Sequence, residues 1–338
     1  MARTAWRPDM AVITYREALN QAMSEEMERD PNVFLMGEEV GLYNGAYKVS
    51  KGMLEKFGEM RVVDTPITEL GFAGLGVGAA MAGLRPCIEF MTHNFAILAW
   101  DQIFNSAAKV LYMTGGQYNC PIVFRGPTGA ALQLSAQHSQ ALEASYSHFP
   151  GLKVVTPGTP ADAKGLLKAA IRDDDPVIVL EAEMLYNLKG EVPDGDDFVI
   201  PLGVAEIKRE GGDVTILTHG KMIHIALQAS QKLEKDGVQA EVVDLRSLRP
   251  LDLETITQSI AKTNRAVYLE EGWTYAGIGA TIVATLQEES FDDLDAPILR
   301  VFQADVPMPY AKGLERAAKP SADRVVDACN RVLYRNER

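Results

Sequence analysis

Short runs of β-branched and apolar residues alternate with helical stretches along most of the chain, and this alternation restricts the fold more than any other feature. In the first half, the extended runs lie at 33–36, 61–63, 87–90, 121–124, 153–155 and 177–180. The helical stretches that alternate with them include 14–28, 71–84, 100–112 and 160–172. The first of these begins with Thr14 and Glu17 at the spacing of a capping box. Such alternation predicts an α/β fold with a mostly parallel sheet and helices on both faces.

A second unit of the same kind follows a polar segment. Residues 189–201 (KGEVPDGDDFVIP) mix proline, glycine and acidic residues without periodicity, which indicates a linker. Beyond it, predicted strands at 214–217, 240–243, 266–269 and 298–302 alternate with predicted helices at 222–235, 253–262 and 277–288. Because 338 residues exceed the size of a typical single domain, we predict two doubly wound domains, at 10–188 and 202–338.

The charge balance argues against two classes of partner. The chain has 33 Lys+Arg against 46 Asp+Glu, which gives a net charge of −13. So acidic a chain is not attracted to a phosphate backbone or to an anionic membrane surface. The longest apolar run, at 71–84, is too short and too rich in glycine to span a bilayer, and we interpret it as a buried helix. We therefore expect neither nucleic acid nor a membrane as a partner.

The cysteines and the first residues indicate the compartment. Cys87, Cys120 and Cys329 lie far apart and form no C-x-x-C pair, so neither a disulfide framework nor a zinc site is indicated. The first ten residues contain no apolar segment of the kind found in secretory signals. We therefore expect a cytoplasmic protein with free, buried thiols.

Glu69 is an isolated carboxylate between Ile67 and the apolar helix predicted at 71–84. Burial in such a setting disfavours the charged form of a carboxylate, so a protein that keeps one there gains something from it. Two explanations fit the sequence equally well. The residue either caps the helix N-terminus, where acidic side chains are favoured, or takes part in catalysis.

Two further candidates lie in turn-rich segments. His138 lies in the polar stretch SAQHSQ just beyond FRGPTGA, a setting suited to proton transfer near neutral pH, although ordinary loop histidines are more frequent. The acidic triplet 173–175 precedes Pro176 at a predicted helix-to-strand turn. Carboxylates and carbonyls in such a turn bind hard cations, but the composition favours a merely solvated turn.

Seven longer motifs carry a more specific signal, in one order along the chain. They are GEEVGLYNGAYKVSKG, VVDTPITELGFAGLGVGAAMAGLRPCIEFMT, FRGPTGA, AQHSQ, PGLKVVTP, AIRDDDPV and DVPMPYAK. With these motifs the chain resembles, from about Thr14 to its C-terminal region, the beta subunits of heterotetrameric pyruvate dehydrogenase, within the 2-oxoacid dehydrogenase and transketolase-like thiamine diphosphate family. The resemblance implies an N-terminal pyrimidine-binding transketolase-like domain and a C-terminal transketolase-type domain.

The resemblance also implies an activity and its residues. The activity is thiamine diphosphate-dependent oxidative decarboxylation of pyruvate, with transfer of the acetyl group to lipoyl groups and acetyl-CoA as the product of the whole complex. Glu69, in DTPITE, corresponds to the family's glutamate that hydrogen-bonds the pyrimidine nitrogen N1′ of the cofactor. The resemblance assigns Phe95 to packing on the cofactor ring, with Glu38 and Met91 beside it, and His138 to the reacting substrate or to acyl transfer.

Metals and partners follow from the same resemblance. The family's structural potassium site maps to five positions, which are Ile122, Ala170, Ile171, Asp173 and Asp175. The G-D-G motif that holds the diphosphate and Mg²⁺ has no match, and the nearest segment is 194–197 in the predicted linker. The resemblance therefore implies an alpha subunit that holds these groups, an α₂β₂ heterotetramer, and docking on a dihydrolipoyl acetyltransferase core.

Two alternatives remain open. His93 and Leu98 differ from residues that are common beside the family's cofactor pocket, and pocket size cannot be read from a sequence. A branched-chain 2-oxoacid or acetoin dehydrogenase is therefore the nearest alternative. A non-catalytic scaffold subunit is the alternative of a different class, because a fold does not by itself imply activity. The joint presence of Glu69, Phe95 and His138 argues against a scaffold.

Overall fold

The computed structural model describes residues 10–195 and 197–335. Outside the described residues lie the first nine residues, which entered the prediction of the compartment, and residues 336–338, the end of the predicted second domain. Asp196, within the segment nearest to a G-D-G motif, also lies outside them. Among the described helices, none combines the length and the apolar character that crossing a membrane requires.

Strands and helices alternate up to residue 193. In chain order they are β1 (Met10–Thr14), α1 (Tyr15–Arg29), β2 (Val33–Glu38), α2 (Met53–Phe57), β3 (Val62–Thr65), α3 (Glu69–Met81), β4 (Arg85–Glu89), α4 (His93–Ala96), α5 (Val110–Met113), β5 (Val123–Pro127), α6 (Glu143–His148), β6 (Lys153–Val155), α7 (Pro160–Arg172), β7 (Val177–Glu181) and β8 (Lys189–Pro193). The first helix has the predicted capping box, because Thr14 and Glu17 each accept the other's backbone N–H.

The alternation continues beyond residue 205. In chain order the elements are β9 (Glu206–Arg209), β10 (Val214–Thr218), α8 (Met222–Lys235), β11 (Ala240–Asp244), β12 (Ser247–Arg249), α9 (Leu253–Thr263), β13 (Ala266–Trp273), α10 (Ile278–Glu289), β14 (Leu299–Gln303), α11 (Lys312–Ala318) and α12 (Ala322–Val332). Strands β10 and β11 are buried along their whole length, because helices cover both faces of their sheet.

The described strands form three sheets. The largest has seven strands in the order β12-β6-β7-β5-β4-β2-β3, and all of its neighbouring pairs are parallel except β12 with β6. A second sheet has the order β14-β13-β10-β11-β9, with only β9 antiparallel to its neighbour. In the third, β1 pairs with β8, so part of the predicted linker is a strand. Because β12 follows the linker in sequence, the two halves of the chain share the largest sheet.

The strand order creates a topological switch point in the seven-stranded sheet. The chain continues from β2 to β3 on one side, whereas from β4, the neighbour of β2 on the other side, it continues to β5 in the opposite direction. The loops that leave the carboxyl ends of β2 and β4 therefore diverge, and open α/β sheets bind ligands in the crevice that forms there. Gly37 permits the close approach of these strands, because a Cβ at this position would overlap the carbonyl oxygen of Glu89.

Two helical predictions need correction. The stretch predicted as one helix at 100–112 contains a π-helix at Asp101–Ala107 that ends before α5. An apolar periodicity does not distinguish i→i+4 from i→i+5 hydrogen bonding, so the sequence gives no sign of the wider turn. Helix α3, within the stretch predicted as a buried helix, buries only one face in this chain: Phe72 is inside, whereas Leu75 and Met81 are exposed.

Candidate functional site

The switch point brings together three residues that the sequence predicts for the site. Glu38 is the last residue of β2, Met91 follows β4 by two residues, and Glu69 is the first residue of α3, which β3 leads into. Parallel strands end at the same edge of a sheet, so residues that are far apart in sequence converge here. Glu69 lies in the first turn of α3, directly after the N-cap residue Thr68, where the helix dipole favours a carboxylate, and this placement is compatible with a role in a ligand site.

Glu38 and Glu69 form a buried carboxyl pair. Only 4% of Glu38 and 6% of Glu69 are exposed to solvent. Burial raises the pKa of Glu38 from its ordinary 4.5 to about 7, and the negative charge of Glu69 and a hydrogen bond between the two carboxyls raise it further. The backbone N–H of Met91, which donates to Glu38 Oε2 over 3.1 Å, acts in the opposite direction. Near pH 7 Glu38 is therefore about half protonated.

We expect Glu38 to make the stability of the folded protein depend on pH. Since the pKa of Glu38 is raised in the folded protein, its contribution to stability is fully present below about pH 4.5 and is lost as pH rises through about 7. Glu38→Gln keeps an acceptor for Met91 but does not titrate. Above pH 7 the variant should be more stable than the parent by about 1–2 kcal/mol, less than the full shift implies because charges are partly screened even at buried sites.

The measurement is the Tm of the ligand-free protein between pH 5 and 8.5, with and without the substitution. Other buried carboxyls with raised pKa values, such as Glu143 and Glu270, are present in both proteins and cancel in the difference. A difference in Tm that stays constant across this range would contradict the assignment of the titration to Glu38.

Phe95 and His138 contact each other at the same edge of the sheet. Phe95 lies on α4, four residues beyond Met91, and 37% of it is exposed. His138 is exposed and ends a 3-10 turn at Ala136–His138. The two rings meet edge to face, with centroids 5.1 Å apart and an interplanar angle of 78°. The structure thus joins two predicted site residues that come from different segments of the chain.

The two positions that depart from the family pattern differ in their surroundings. His93 is fully buried, its Nδ1 lies 2.9 Å from the hydroxyl of Tyr146, and its ring packs against Phe90. Burial, followed by the positive charge of Arg125, lowers the pKa of His93 to about 3, so this imidazole is neutral. The His93 side chain is part of the core beneath α4. Leu98, by contrast, is 61% exposed.

The sequence predictions did not include a buried ionic network directly below the site. Arg125 on β5 donates to Glu181 on β7 through Nε (2.5 Å) and Nη2 (2.6 Å), and its Nη1 donates to Glu89 on β4. The hydroxyl of Tyr186 also donates to Glu181 Oε2 over 2.8 Å. All three charged side chains are buried. A signal did exist, because each of these three apolar strands carries one charged residue near its carboxyl end.

Exposed apolar side chains lie in the segments that carry the buried carboxyl pair. Ile67 and Leu70, which flank Glu69 in sequence, and Leu42, in the loop after β2, are all exposed. Leu75 and Met81, on α3, are exposed as well. Large apolar side chains exposed near a buried polar group indicate a site that a ligand or a partner covers.

The predicted potassium positions lie at the opposite edge of the same sheet, near the amino ends of β5 and β7. Their main-chain oxygens already accept hydrogen bonds: Ile122 from Val177 N (2.9 Å), Ala170 from Asp173 N (3.3 Å) and Ile171 from Arg85 Nε (3.0 Å). The Lys153 ammonium contacts both Asp173 (2.7 Å) and Asp175 (3.0 Å). Within residues 10–195 and 197–335, no cluster of three or more His, Cys, Asp or Glu side chains is arranged to hold a metal ion.

Comparison with known families and proteins gives consistent matches. The family model described as "Transketolase, pyrimidine binding domain" matches residues 11–189, and "Transketolase, C-terminal domain" matches residues 203–325. The pyruvate dehydrogenase E1 component subunit beta of Rhizobium meliloti (strain 1021) is 57% identical over 327 residues, which are 97% of this chain and 71% of that protein. The mitochondrial subunit of the same name from Caenorhabditis elegans is 58% identical over 96% of this chain and 93% of its own length.

Solved structures agree with the observed architecture. A split-gene transketolase, described as an inactive beta4 tetramer, is 25% identical with a TM-score of 0.76, and the match covers 96% of this chain and 99% of that one. A transketolase from Pichia stipitis is 14% identical with a TM-score of 0.69 over 98% of this chain and 47% of its own. The latter likeness concerns the fold alone.

Proposed function

The chain belongs to the family of pyruvate dehydrogenase E1 component beta subunits, and from this premise we propose that it acts with an alpha subunit in the oxidative decarboxylation of pyruvate. In this proposal the acetyl group passes to lipoyl groups of the complex, which gives acetyl-CoA overall. The observation that carries the proposal is the buried Glu38–Glu69 pair at the switch point, with exposed apolar side chains in the same segments.

The side chains at the switch point suit the aminopyrimidine ring of thiamine diphosphate. A flat, basic heteroaromatic ring needs an apolar face and a carboxyl at its edge, and Phe95 and Glu69 offer these. When bound, the cofactor supplies the electron sink for decarboxylation. In this proposal the Glu69 carboxyl would hydrogen-bond ring nitrogen N1′ and hold a proton there. Glu38, beside Met91, shares a proton with Glu69 and limits the charge in the crevice.

His138 has the second proposed role, with the reacting substrate or in acyl transfer. An imidazole exchanges protons near neutral pH, and this one is exposed, so an incoming lipoyl group has access to it. Its edge-to-face contact with Phe95 keeps it beside the proposed cofactor ring. In this proposal Glu69 thus serves cofactor activation, and His138 serves the reacting substrate or acyl transfer.

The proposed partner is an alpha subunit in an α₂β₂ heterotetramer. The sequence has no G-D-G motif, so we assign the diphosphate and its Mg²⁺ to that subunit. The exposed Ile67 and Leu70 beside Glu69 support a shared crevice, because a covering chain would remove them from water. We also propose docking on a dihydrolipoyl acetyltransferase core, for which the net charge of −13 suits a basic module.

The proposal also includes the domain division, a potassium site and the cellular location. The domain division at 10–188 and 202–338 is supported by the two large sheets, between which only β12 among the described strands crosses from the second half to the sheet of the first. A potassium ion near Ile122 would be structural and would use the second lone pairs of carbonyls that already accept hydrogen bonds. A cytoplasmic location is supported by three free, buried cysteines, which suit a reducing compartment.

The substrate is tested by co-expressing the chain with its alpha subunit and assaying decarboxylation with an artificial electron acceptor. We expect kcat/KM for pyruvate to exceed that for 2-oxoisovalerate by about 10-fold or more, because a pocket shaped for a methyl group discriminates against added carbons. A preference for 2-oxoisovalerate or acetoin would point to the alternative enzymes. Absence of turnover in a correctly assembled tetramer would favour a scaffold.

A further inference from the structure

We propose that Glu271 and Glu315, two carboxylates from the second half of the chain, are positioning residues that hold the loop carrying His138. This inference rests on the role proposed above for His138. The loop, residues 129–140, is here called the His138 loop. Each carboxylate is almost fully buried and accepts a backbone N–H from it.

Hydrogen bonds within the first half of the chain hold the two ends of the His138 loop. Gly129 N donates to Gln140 O over 2.8 Å, which closes the base. Gln140 N donates to Asn94 Oδ1, also over 2.8 Å. Between these ends, the ring of Phe95 packs against His138. The second half of the chain supplies carboxylates that accept hydrogen bonds from the backbone of Ala130 and Gln133.

Glu271 holds the start of the loop. Its Oε1 accepts the N–H of Ala130 over 3.0 Å and lies 2.7 Å from the Lys221 ammonium. Lys221 in turn donates to the carbonyl oxygen of Ala130, so both polar groups of this residue are bound by one ion pair. A Cβ at Gly129 would overlap Glu271 Oε2, which explains the glycine with φ +73° at this position. A side chain at position 129 would therefore displace the Glu271 carboxylate.

Glu315, on α11, holds the middle of the loop. Its Oε2 accepts the N–H of Gln133 over 3.0 Å, and its Oε1 accepts from the Lys319 ammonium over 2.7 Å. Ala130 also packs against Met308 and Ala318 in a small apolar cluster that joins the two halves of the chain. Each carboxylate thus binds a loop amide and a lysine. The lysines neutralise charges that burial would otherwise disfavour.

Backbone conformation indicates that the loop needs these contacts. Gln133 has φ 54° and Ser135 has φ 64°, which lie in the left-handed region that residues other than glycine rarely adopt. Such conformations persist where the surroundings determine them. The Gln133 N–H that Glu315 accepts belongs to one of these two residues, and the turn with His138 begins directly after Ser135. Loss of Glu315 should therefore let the loop relax and carry His138 away from Phe95.

The test uses the complete tetramer with its alpha subunit and measures the rate at which lipoyl groups of the acetyltransferase become acetylated. We expect Glu315→Ala to lower this rate by about 10-fold, because small misplacements of a catalytic group are costly. Glu288→Ala, an exposed glutamate on α10, is the matched control and should leave the rate unchanged. Glu315→Asp should restore part of the rate, since a carboxylate remains.

A double-mutant cycle separates positioning from general damage. If Glu315 acts through His138, then Glu315→Ala should change the rate by less than about twofold in a His138→Ala background. An equal loss in both backgrounds would overturn the inference. Hydrogen exchange of the amides of Ala130 and Gln133 provides a readout that does not depend on activity. We expect faster exchange in Glu315→Ala, and exchange like that of the parent would also overturn the inference.

The experiment gives a different result if the role proposed for His138 is wrong. If His138→Ala by itself leaves lipoyl acetylation intact, the role proposed for His138 is wrong. Hydrogen exchange then decides alone whether Glu315 orders the loop. Glu271→Gln, which keeps the shape of the side chain but weakens its pairing with Lys221, should accelerate exchange at Ala130 in the same way.

Discussion

Glu69→Gln is expected to lower the rate of decarboxylation by the co-purified tetramer by about 100-fold or more. Glutamine preserves the size of the side chain and its place at the start of α3. It does not, however, hold an exchangeable proton at ring nitrogen N1′, and the loss of a general acid–base group typically costs 10²–10⁴-fold. The effect should fall on kcat, because the apolar contacts around the site are unchanged.

The measurement is turnover with an artificial electron acceptor at saturating thiamine diphosphate. Glu288→Gln on the exposed face of α10 serves as the control and should match the parent. Native mass measurement of both variants verifies that the assembly is intact. Turnover of Glu69→Gln within about threefold of the parent would remove Glu69 from the role proposed for it.

Arg125→Met is expected to destabilise the folded chain by about 3–5 kcal/mol. The substitution leaves the carboxylates of Glu89 and Glu181 buried without the cation that both now contact. Removal of one partner from a buried ionic network costs this much, because the remaining charges stay desolvated and unpaired. The pKa of Glu89, which burial already raises and the Arg125 charge lowers, should then rise further.

Thermal unfolding of the tetramer measures this effect, with an expected decrease in Tm of about 5–10 °C. Arg324→Met, at an exposed arginine on α12, is the control for loss of one positive charge. Combining Arg125→Met with Glu89→Gln should recover part of the Tm, since one unpaired charge is then absent. If the double variant is less stable than Arg125→Met, the network explanation is wrong.

The sequence predicted those parts of the protein that local patterns encode. Alternating apolar runs predicted an α/β fold, and helix 222–235 and strand 153–155 have the predicted bounds. Glu69 stood out because a single carboxylate interrupts an apolar stretch, and it is indeed buried. The resemblance to a known family assigned both Phe95 and His138 to the site, but no local pattern indicated that their rings touch.

Only the tertiary structure decided which distant residues meet. Strand order places Glu38 beside Glu69, joins Arg125 to Glu89 and Glu181, and brings β12 into a sheet built mainly by the first half. Periodicity records which face of an element is apolar, but pairing between elements depends on packing over the whole chain. The sequence by itself therefore determined the elements and the single acid that marks the site. The fold determined the partner of that acid, and the buried charges beneath it, because desolvation and proximity exist only once the sheet is assembled.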